Sequence, residues 1–191
     1  MLKPKKALSV VVDVEKRDMQ DRNDLAGVIL AGGRSSRMGS NKALLSFGGR
    51  LLIEHMQQIL RDAGFNKIII SGSVENYTCV PDKMDYQGPA KAIEDIICAN
   101  PETKGFLFIP VDMPFLNQDI LNLLLKHSEG AYFKDSPLPA YIPAPHKKTQ
   151  AYSVRKMLDE LNINPIKVPE SFVSCMKNAN TPEDWAEVIN A

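Results

Sequence analysis

A continuous apolar run, LAGVILA at residues 25–31, is the feature that most limits what this chain can fold into. It ends in two glycines, and after a basic loop the segment RLLIEHMQQILRDAG places apolar residues at helical spacing. A run without polar alternation is typical of a strand covered on both faces. A buried strand followed by an amphipathic helix begins a β-α-β unit, which predicts a mostly parallel sheet packed against helices.

The rest of the chain continues this alternation. We expect strands in KIIIS, GFLFIPVDMP, AYFK, PLPAYIP and PIKVP, and a further short strand in YTCVPD. We expect helices in GPAKAIEDIICAN from Pro89, in NQDILNLLLKHSEG with an asparagine cap and a glycine stop, in TQAYSVRKMLDELN, and from NTPEDW onward. These patterns predict a single-domain, Rossmann-like α/β fold, a three-layer αβα sandwich with a mostly parallel sheet.

Residues 1–23 stand apart from this pattern, and residues 24–191 are predicted to form the domain. The stretch ALSVVVDVE alternates like a strand, and KRDMQDRND is a charged connector. We interpret residues 1–23 as an N-terminal arm or tail: a loose tail, an extra edge strand, or an arm that reaches a partner.

Composition excludes several classes of function. The 191-residue chain is 44% hydrophobic, and its 23 Lys+Arg balance 23 Asp+Glu, so no overall basic field indicates nucleic-acid binding. Cys79, Cys98 and Cys175 form no CxxC pair, which favours free thiols in a reducing compartment over a disulfide or zinc framework. No apolar run reaches the roughly 20 residues that span a bilayer, and the N-terminus lacks a signal-peptide pattern. We therefore expect a cytoplasmic protein without membrane or nucleic-acid partners.

The loop after the first strand has the chemistry of a phosphate site. Gly32 and Gly33 permit positive φ and close backbone approach, and successive amides there can form a concave nest for an anion. Arg34, Arg37 and Lys42 add cationic donors before the helix. The spacing fits neither G-x-x-x-x-G-K-[ST] nor G-x-G-x-x-G, which excludes those two common phosphate loops.

A second candidate group follows the strand-like stretch FLFIP. In parallel sheets the ligand crevice lies at the carboxyl ends of the strands, so Asp112 and the glycine loop are expected on one rim. Asp112 is a candidate magnesium ligand, since Mg²⁺ commonly takes one or two carboxylates plus substrate phosphate oxygens and water. Near the C-terminus, Thr181 is expected to cap a helix with Asp184 as its capping-box partner, whereas Asn180 is less well explained by capping.

Together these residues resemble a known family. LAGGRSSRMGSNKALL is similar to the L-A-G-G-x-S-x-R-M-G-x-x-K motif of nucleotidyltransferases, in particular the molybdenum cofactor guanylyltransferases of the MobA type. DYQGP, PVDMPFL and NANTPEDW resemble later motifs of that family in the same order, so the resemblance covers roughly residues 25–188. It implies a nucleotide-diphospho-sugar transferase type of fold. It also implies transfer of GMP from GTP to molybdopterin, with release of pyrophosphate and Mg²⁺ as cofactor.

The resemblance implies roles for the matched residues. It assigns catalysis to Lys42, Asp112 and Arg37, and metal binding to Asp112 and Asn180. It assigns nucleotide binding to Leu30, Ala31, Gly32, Gly33, Arg34, Lys42, Asp82, Gly88, Pro89 and Asp112. A carboxylate can accept hydrogen bonds from guanine N1–H and the exocyclic amine together, a donor pair that cytosine lacks. Whether Asp82 or Asp85 is that acid stays open.

Two departures from the family keep alternatives open. The chain reads GPAKA where the family usually continues with Leu-Ala-Gly, so Lys91 and Ala92 lie close to the expected nucleotide. Lys91 would either contact phosphate or face solvent. The segment FKDSPLPAYIPAPHKK keeps only part of a strand that should help hold the acceptor.

The functional alternatives left open are CTP as donor, a sugar-phosphate acceptor, or a nucleotide-binding accessory protein without turnover. GTP and molybdopterin are the expected substrates, molybdenum-enzyme maturation proteins are candidate partners, and the oligomeric state is open.

Overall fold

A computed structural model describes residues 21–32, 41–81, 88–144 and 147–190. The strands are β1 (Leu25–Leu30), β2 (Ser46–Phe47), β3 (Arg50–Leu51), β4 (Lys67–Ser71), β5 (Gly105–Pro110), β6 (Ala131–Phe133), β7 (Ser136–Pro143) and β8 (Asn164–Ile166). The α-helices are α1 (Leu52–Asp62), α2 (Pro89–Ala99), α3 (Gln118–Leu125), α4 (Val154–Glu160) and α5 (Pro182–Ile189). Short 3-10 helices span Asp21–Asp24, Lys42–Leu44 and Glu170–Met176.

A six-stranded sheet in the order β4-β1-β5-β7-β6-β8 forms the centre of the fold. Strand β1 pairs in parallel with both β4 and β5, and β6 pairs in parallel with β8. Strand β7 runs antiparallel to both of its neighbours, β5 and β6. The predicted α/β class with a mostly parallel sheet is confirmed, and β7 is its antiparallel member.

Each face of the sheet carries its own hydrophobic core, as a three-layer sandwich requires. Side chains alternate along β5, so Leu107 and Ile109 enter one core while Phe106 and Phe108 enter the other. Helices α1 and α3 supply the first core, and α2 and α4 supply the second. None of the helices in the described segments is long and apolar enough to cross a membrane.

Some expected elements are shorter than their sequence pattern. YTCVPD contributes only an isolated parallel bridge between Ser71 and Val80, because the following proline has no N–H with which to continue a ladder. TQAYSVRKMLDELN is helical only from Val154, where the Ser153 hydroxyl caps the first turn by accepting from the Lys156 amide. PIKVP is a strand only as far as Ile166.

The glycine stop predicted for α3 is wrong. The helix ends at Leu125, whereas Gly130 has φ 87° and lies directly before β6. A Cβ at Gly130 would lie 2.7 Å from Ile163 Cδ1 and 2.8 Å from the Tyr141 carbonyl oxygen. The glycine is therefore required for close packing at the start of β6. By contrast, the asparagine cap is confirmed, since Asn117 Oδ1 accepts from the amides of Asp119 and Ile120.

The predicted N-terminal arm lies mostly outside the described residues. Its last residues form the 3-10 helix Asp21–Asp24, in which the Arg22 guanidinium donates to the Ala63 carbonyl at the end of α1. The boundary at residue 24 therefore falls inside an element that contacts the domain, and the separate arm stays a prediction.

An aromatic cluster joins three parts of the chain. The Phe47 ring centroid lies 4.7 Å from His55, 5.9 Å from Phe115 and 6.2 Å from Trp185. His55 Nε2 is 2.8 Å from the Pro114 carbonyl oxygen, so this nitrogen carries the donated proton. Burial lowers the pKa of His55, and the nearby Arg50 adds to that effect. His55 is thus a structural residue that holds α1 against the loop after β5.

Protonation of His55 in acid should lower the free energy of unfolding of the protein. A histidine whose pKa is lowered by folding binds its proton more tightly in the unfolded chain, whose pKa is about 6.5. The free energy of unfolding should therefore fall as pH drops from about 6.5 through the lowered pKa of His55. In His55→Gln, which keeps an N–H donor without titrating, that part of the pH dependence should be missing. Urea unfolding of both proteins between about pH 7 and pH 5 checks this, and parallel curves would contradict it.

Candidate active site

Two loops leave the sheet side by side at the carboxyl ends of β1 and β5. The register pairs Leu30 with Pro110, and the Val111 amide donates to the Leu30 carbonyl at 3.1 Å. Ala31 and Gly32 start the glycine loop on one strand, while Asp112 follows Val111 on the other. The sequence-based expectation that both motifs share one rim is therefore met by direct strand pairing.

Lys42 lies at the centre of a polar cluster on this rim. Its Nζ donates to the Ala179 carbonyl at 2.8 Å and to Asn180 Oδ1 at 2.9 Å, and it lies 3.8 Å from Asp112 Oδ2. Lys42 starts a 3-10 turn capped by Asn41, whose Oδ1 accepts from the Ala43 amide. We call Lys42, Asp112, Ala179 and Asn180 the rim cluster.

The turn that carries Ala179 and Asn180 is held independently of Lys42. The Asp184 carboxylate accepts from the amides of Asn180 at 2.8 Å and Thr181 at 2.9 Å, and the Thr181 hydroxyl accepts from the Asp184 amide at 3.1 Å. The Ala179 amide donates to the Asp112 carbonyl at 2.8 Å. The hydrogen bond from the Asn180 amide, followed by that from Thr181, lowers the pKa of Asp184. A charged capping box thus joins the turn to α5, and the Ala179 amide joins it to the loop after β5.

The electrostatics of Asp112 fit a site for a divalent cation. Burial raises the pKa of this carboxyl, and the Lys42 ammonium opposes that rise. The oxygens of Asp112 and Asn180 face the same ammonium, and carboxylate and amide oxygens are ligands of Mg²⁺. No group of three or more His, Cys, Asp or Glu in the described segments could hold a metal. A cation here would therefore need oxygens from a substrate or from water as well.

The predicted site residues fall into three groups. Leu30, Ala31, Gly32, Lys42, Asp112 and Asn180 all lie at the carboxyl ends of β1 and β5 or in the turn beside them. Gly88, with φ 80°, and Pro89 lie at the start of α2, which packs on the face of the sheet opposite α1. Gly33, Arg34, Arg37, Asp82 and Asp85 lie outside the described residues, and their roles stay predictions.

Lys91, the departure in GPAKA, pairs with acids of its own helix. Its Nζ lies 3.0 Å from Glu94 Oε2 and 3.0 Å from Asp95 Oδ1. Glu94 Oε1 in turn accepts from the Thr149 amide at 2.9 Å, which ties α2 to the segment before α4. This ion-paired, partly exposed position accounts for the lysine without a ligand. The i, i+3 and i, i+4 spacing to two acids was the sequence signal for it.

Sequence reasoning missed Gly72, which supports the start of the glycine loop. Gly72 has φ 114°, and a Cβ there would lie 2.5 Å from the Gly32 nitrogen and 2.7 Å from its Cα. The Ala31 amide donates to the Ser71 carbonyl at 2.8 Å, which holds the two strand ends together. Only glycine lets the end of β4 approach the loop this closely. The sequence signal was a glycine directly after the strand KIIIS.

Gly72→Ala should therefore cost more stability than the same change at an open glycine. Gly49, with φ 81°, has nothing within 4 Å of a built Cβ and is the matched control. Gly49→Ala should cost about 1 kcal/mol for positive φ alone, and Gly72→Ala about 1–3 kcal/mol more because backbone atoms must move. Denaturant unfolding measures both, and equal losses would contradict the close approach.

Known proteins match this fold and these motifs. The family described as the MobA-like NTP transferase domain matches residues 27–162. The molybdenum cofactor guanylyltransferase of Xanthomonas euvesicatoria pv. vesicatoria is 34% identical, in an alignment that covers 86% of this chain and 94% of that protein. The molybdenum cofactor guanylyltransferase of Rhizobium johnstonii is 27% identical, in an alignment that covers 90% of this chain and 97% of that protein.

A solved structure agrees at the level of the fold. Molybdopterin-guanine dinucleotide biosynthesis protein A from Archaeoglobus fulgidus superimposes with a TM-score of 0.59 at 17% identity, covering 86% of this chain and 97% of that one. The predicted nucleotidyltransferase fold and the resemblance to MobA-type enzymes are both confirmed. The chain belongs to the MobA-like NTP transferase domain family of nucleotidyltransferases.

Proposed function

We propose that this protein transfers GMP from GTP to molybdopterin and releases pyrophosphate, as a step in making a molybdenum cofactor guanine dinucleotide. The rim cluster is the structural observation that carries the proposal. It places a positively charged hydrogen-bond donor, Lys42, beside the side-chain oxygens of Asp112 and Asn180 at the carboxyl ends of β1 and β5. The name of the Xanthomonas relative, which this chain matches along nearly its whole length, supports the choice of nucleotide and acceptor.

This reaction requires that the protein position the two substrates and neutralise the charge on the phosphates. It requires no covalent nucleophile on the protein. A phosphate oxygen of the acceptor attacks the α-phosphorus of GTP. The bond from the α-phosphorus to the bridging oxygen breaks, and that electron pair leaves with pyrophosphate. Lys42 is proposed to donate to the triphosphate oxygens and to neutralise the charge that grows on the leaving group. Arg34 and Arg37 are proposed to add further donors to the same phosphates.

Mg²⁺ is the proposed metal, with Asp112 and Asn180 as its protein ligands. Their carboxylate and amide oxygens suit a hard cation that completes its shell with phosphate oxygens and water. When bound, the ion would neutralise phosphate charge as the α-phosphorus is attacked. Asp184 holds the turn that carries Asn180, and the Ala179 amide bonds to the Asp112 carbonyl, so the backbone of both proposed ligands is held in place.

Base recognition is proposed at the start of α2. Gly88 and Pro89 border the segment that holds Asp82 and Asp85, one of which is proposed to accept from the guanine edge. Candidate partners are maturation proteins of molybdenum enzymes. Free thiols at Cys79, Cys98 and Cys175 support a reducing location, which we propose to be the cytoplasm.

The substrate assignment is tested by pyrophosphate release with each nucleoside triphosphate, with and without molybdopterin, in Mg²⁺. GTP with molybdopterin should be the productive pair. An unpaired buried carboxylate costs about 1–3 kcal/mol, so GTP should be preferred to CTP by at least about tenfold. Equal rates with CTP would contradict the guanine assignment. Pyrophosphate release with a sugar phosphate but not with molybdopterin would contradict the assignment of molybdopterin as the acceptor.

The two charged members of the rim cluster should fail in different ways. Lys42→Ala should lower turnover by about two orders of magnitude or more, about 2.7 kcal/mol of barrier, at any Mg²⁺ concentration. Asp112→Ala should raise the Mg²⁺ requirement, so that added Mg²⁺ restores part of the rate. Lys126→Ala, an exposed lysine at the end of α3, is the control and should leave turnover unchanged. Wild-type rates in folded Lys42→Ala and Asp112→Ala would refute these roles.

A further inference from the structure

The Lys42 ammonium is surrounded by oxygen atoms in the way a bound cation would be. The Ala179 carbonyl and Asn180 Oδ1 lie within 2.9 Å of Nζ, and Asp112 Oδ2 completes a third side at 3.8 Å. These contacts come from the loop after β5 and from the turn before α5. The lysine side chain is only 15% exposed and that of Asp112 24% exposed, so the cluster is largely shielded from solvent.

Two of these oxygens are the ones proposed to hold Mg²⁺. An ammonium and a divalent cation repel each other, so holding both on the Asp112 and Asn180 oxygens would be unfavourable in this shielded cluster. Binding of the metal is therefore favoured when the Lys42 ammonium moves away. The four-carbon stem of lysine permits this movement, since the charge can rotate about several bonds without a shift of the backbone.

The backbone that carries these oxygens is held without the ammonium. Asp184 holds the amides of Asn180 and Thr181, and the Ala179 amide is bonded to the Asp112 carbonyl. Neither set of bonds involves the Lys42 side chain. The backbone of Asp112, Ala179 and Asn180 therefore keeps its place while the cation bound by their oxygens is exchanged.

We propose that Lys42 is a stand-in for the metal: its ammonium occupies the cation position until a triphosphate arrives, and the metal enters only as the phosphates draw Lys42 away. The proposal rests on the proposed function, because it takes Asp112 and Asn180 as the metal ligands. It goes further in making metal and nucleotide binding interdependent. Mg²⁺ alone then binds weakly, and the triphosphate supplies both an alternative partner for Lys42 and further oxygens for the metal.

Calorimetric titration with MgCl₂ alone, in the absence of any nucleotide, tests the exchange. Lys42→Met removes the ammonium but keeps much of the stem, and it should bind Mg²⁺ at least about tenfold more tightly than the wild-type protein. The same variant should bind Mg²⁺·GTP more weakly, because the phosphates have lost a donor. Lys126→Met removes an exposed lysine charge elsewhere and should leave both affinities unchanged.

The double variant Lys42→Met, Asp112→Asn locates the effect. It should lose the gain in Mg²⁺ affinity, since one of the exchanged ligands is gone. If Lys42→Met does not fold by circular dichroism, Lys42→Gln serves in its place with the same expected gain. The proposal is overturned if neither variant binds Mg²⁺ alone more tightly, or if the gain persists without Asp112. The titration with MgCl₂ alone contains neither GTP nor acceptor, so its result does not depend on the substrates. Absence of guanylyl transfer by the wild-type protein, measured separately, would refute the proposed substrates and leave the exchange supported.

Discussion

The parallel pairing of β1 with β5 is the constraint on which the candidate site depends. It aligns Leu30 with Pro110, so the glycine loop and the Asp112 turn leave the sheet as neighbours. A slip of one residue in this register would exchange the two faces of β5 and send Phe106 and Phe108 toward the wrong core. The same burial that stabilises the two cores therefore also places the start of the glycine loop beside Asp112.

The C-terminal turn completes the site from a remote part of the sequence. Lys42 bonds to Ala179, 137 residues away, and the capping box of Asp184 keeps that turn rigid. The aromatic contact between Phe47 and Trp185 brings the same two chain segments together through packing. Polar contacts and apolar burial thus act in the same direction. A protein that lost the last helix would lose the Asp184 carboxylate that holds the Asn180 turn, as well as the packing of Trp185 on the core.

Local patterns were enough to predict much of this arrangement. The continuous apolar run of β1 and the helical spacing of α1 identified their elements, and Pro89 and Asn117 marked helix starts. The antiparallel direction of β7 was not predictable, because an apolar strand has the same pattern in either direction. The bond from Lys42 to Ala179 depends on how distant segments pack, which periodicity does not describe. Gly72 was visible as a residue, but its contact with Gly32 required the fold.

The most direct test of the central claim uses Mn²⁺ in place of Mg²⁺, bound with GTP to ¹⁵N-labelled protein. A paramagnetic ion broadens the amide signals of the residues nearest to it, whether or not the protein turns over. If the rim cluster holds the metal and the triphosphate, the signals of Asp112, Ala179 and Asn180 should be lost first, and Mg²⁺ should restore them. The account would be contradicted if those signals stayed sharp while others broadened at the opposite end of β5, around Lys104 before β5 and Ala144 after β7.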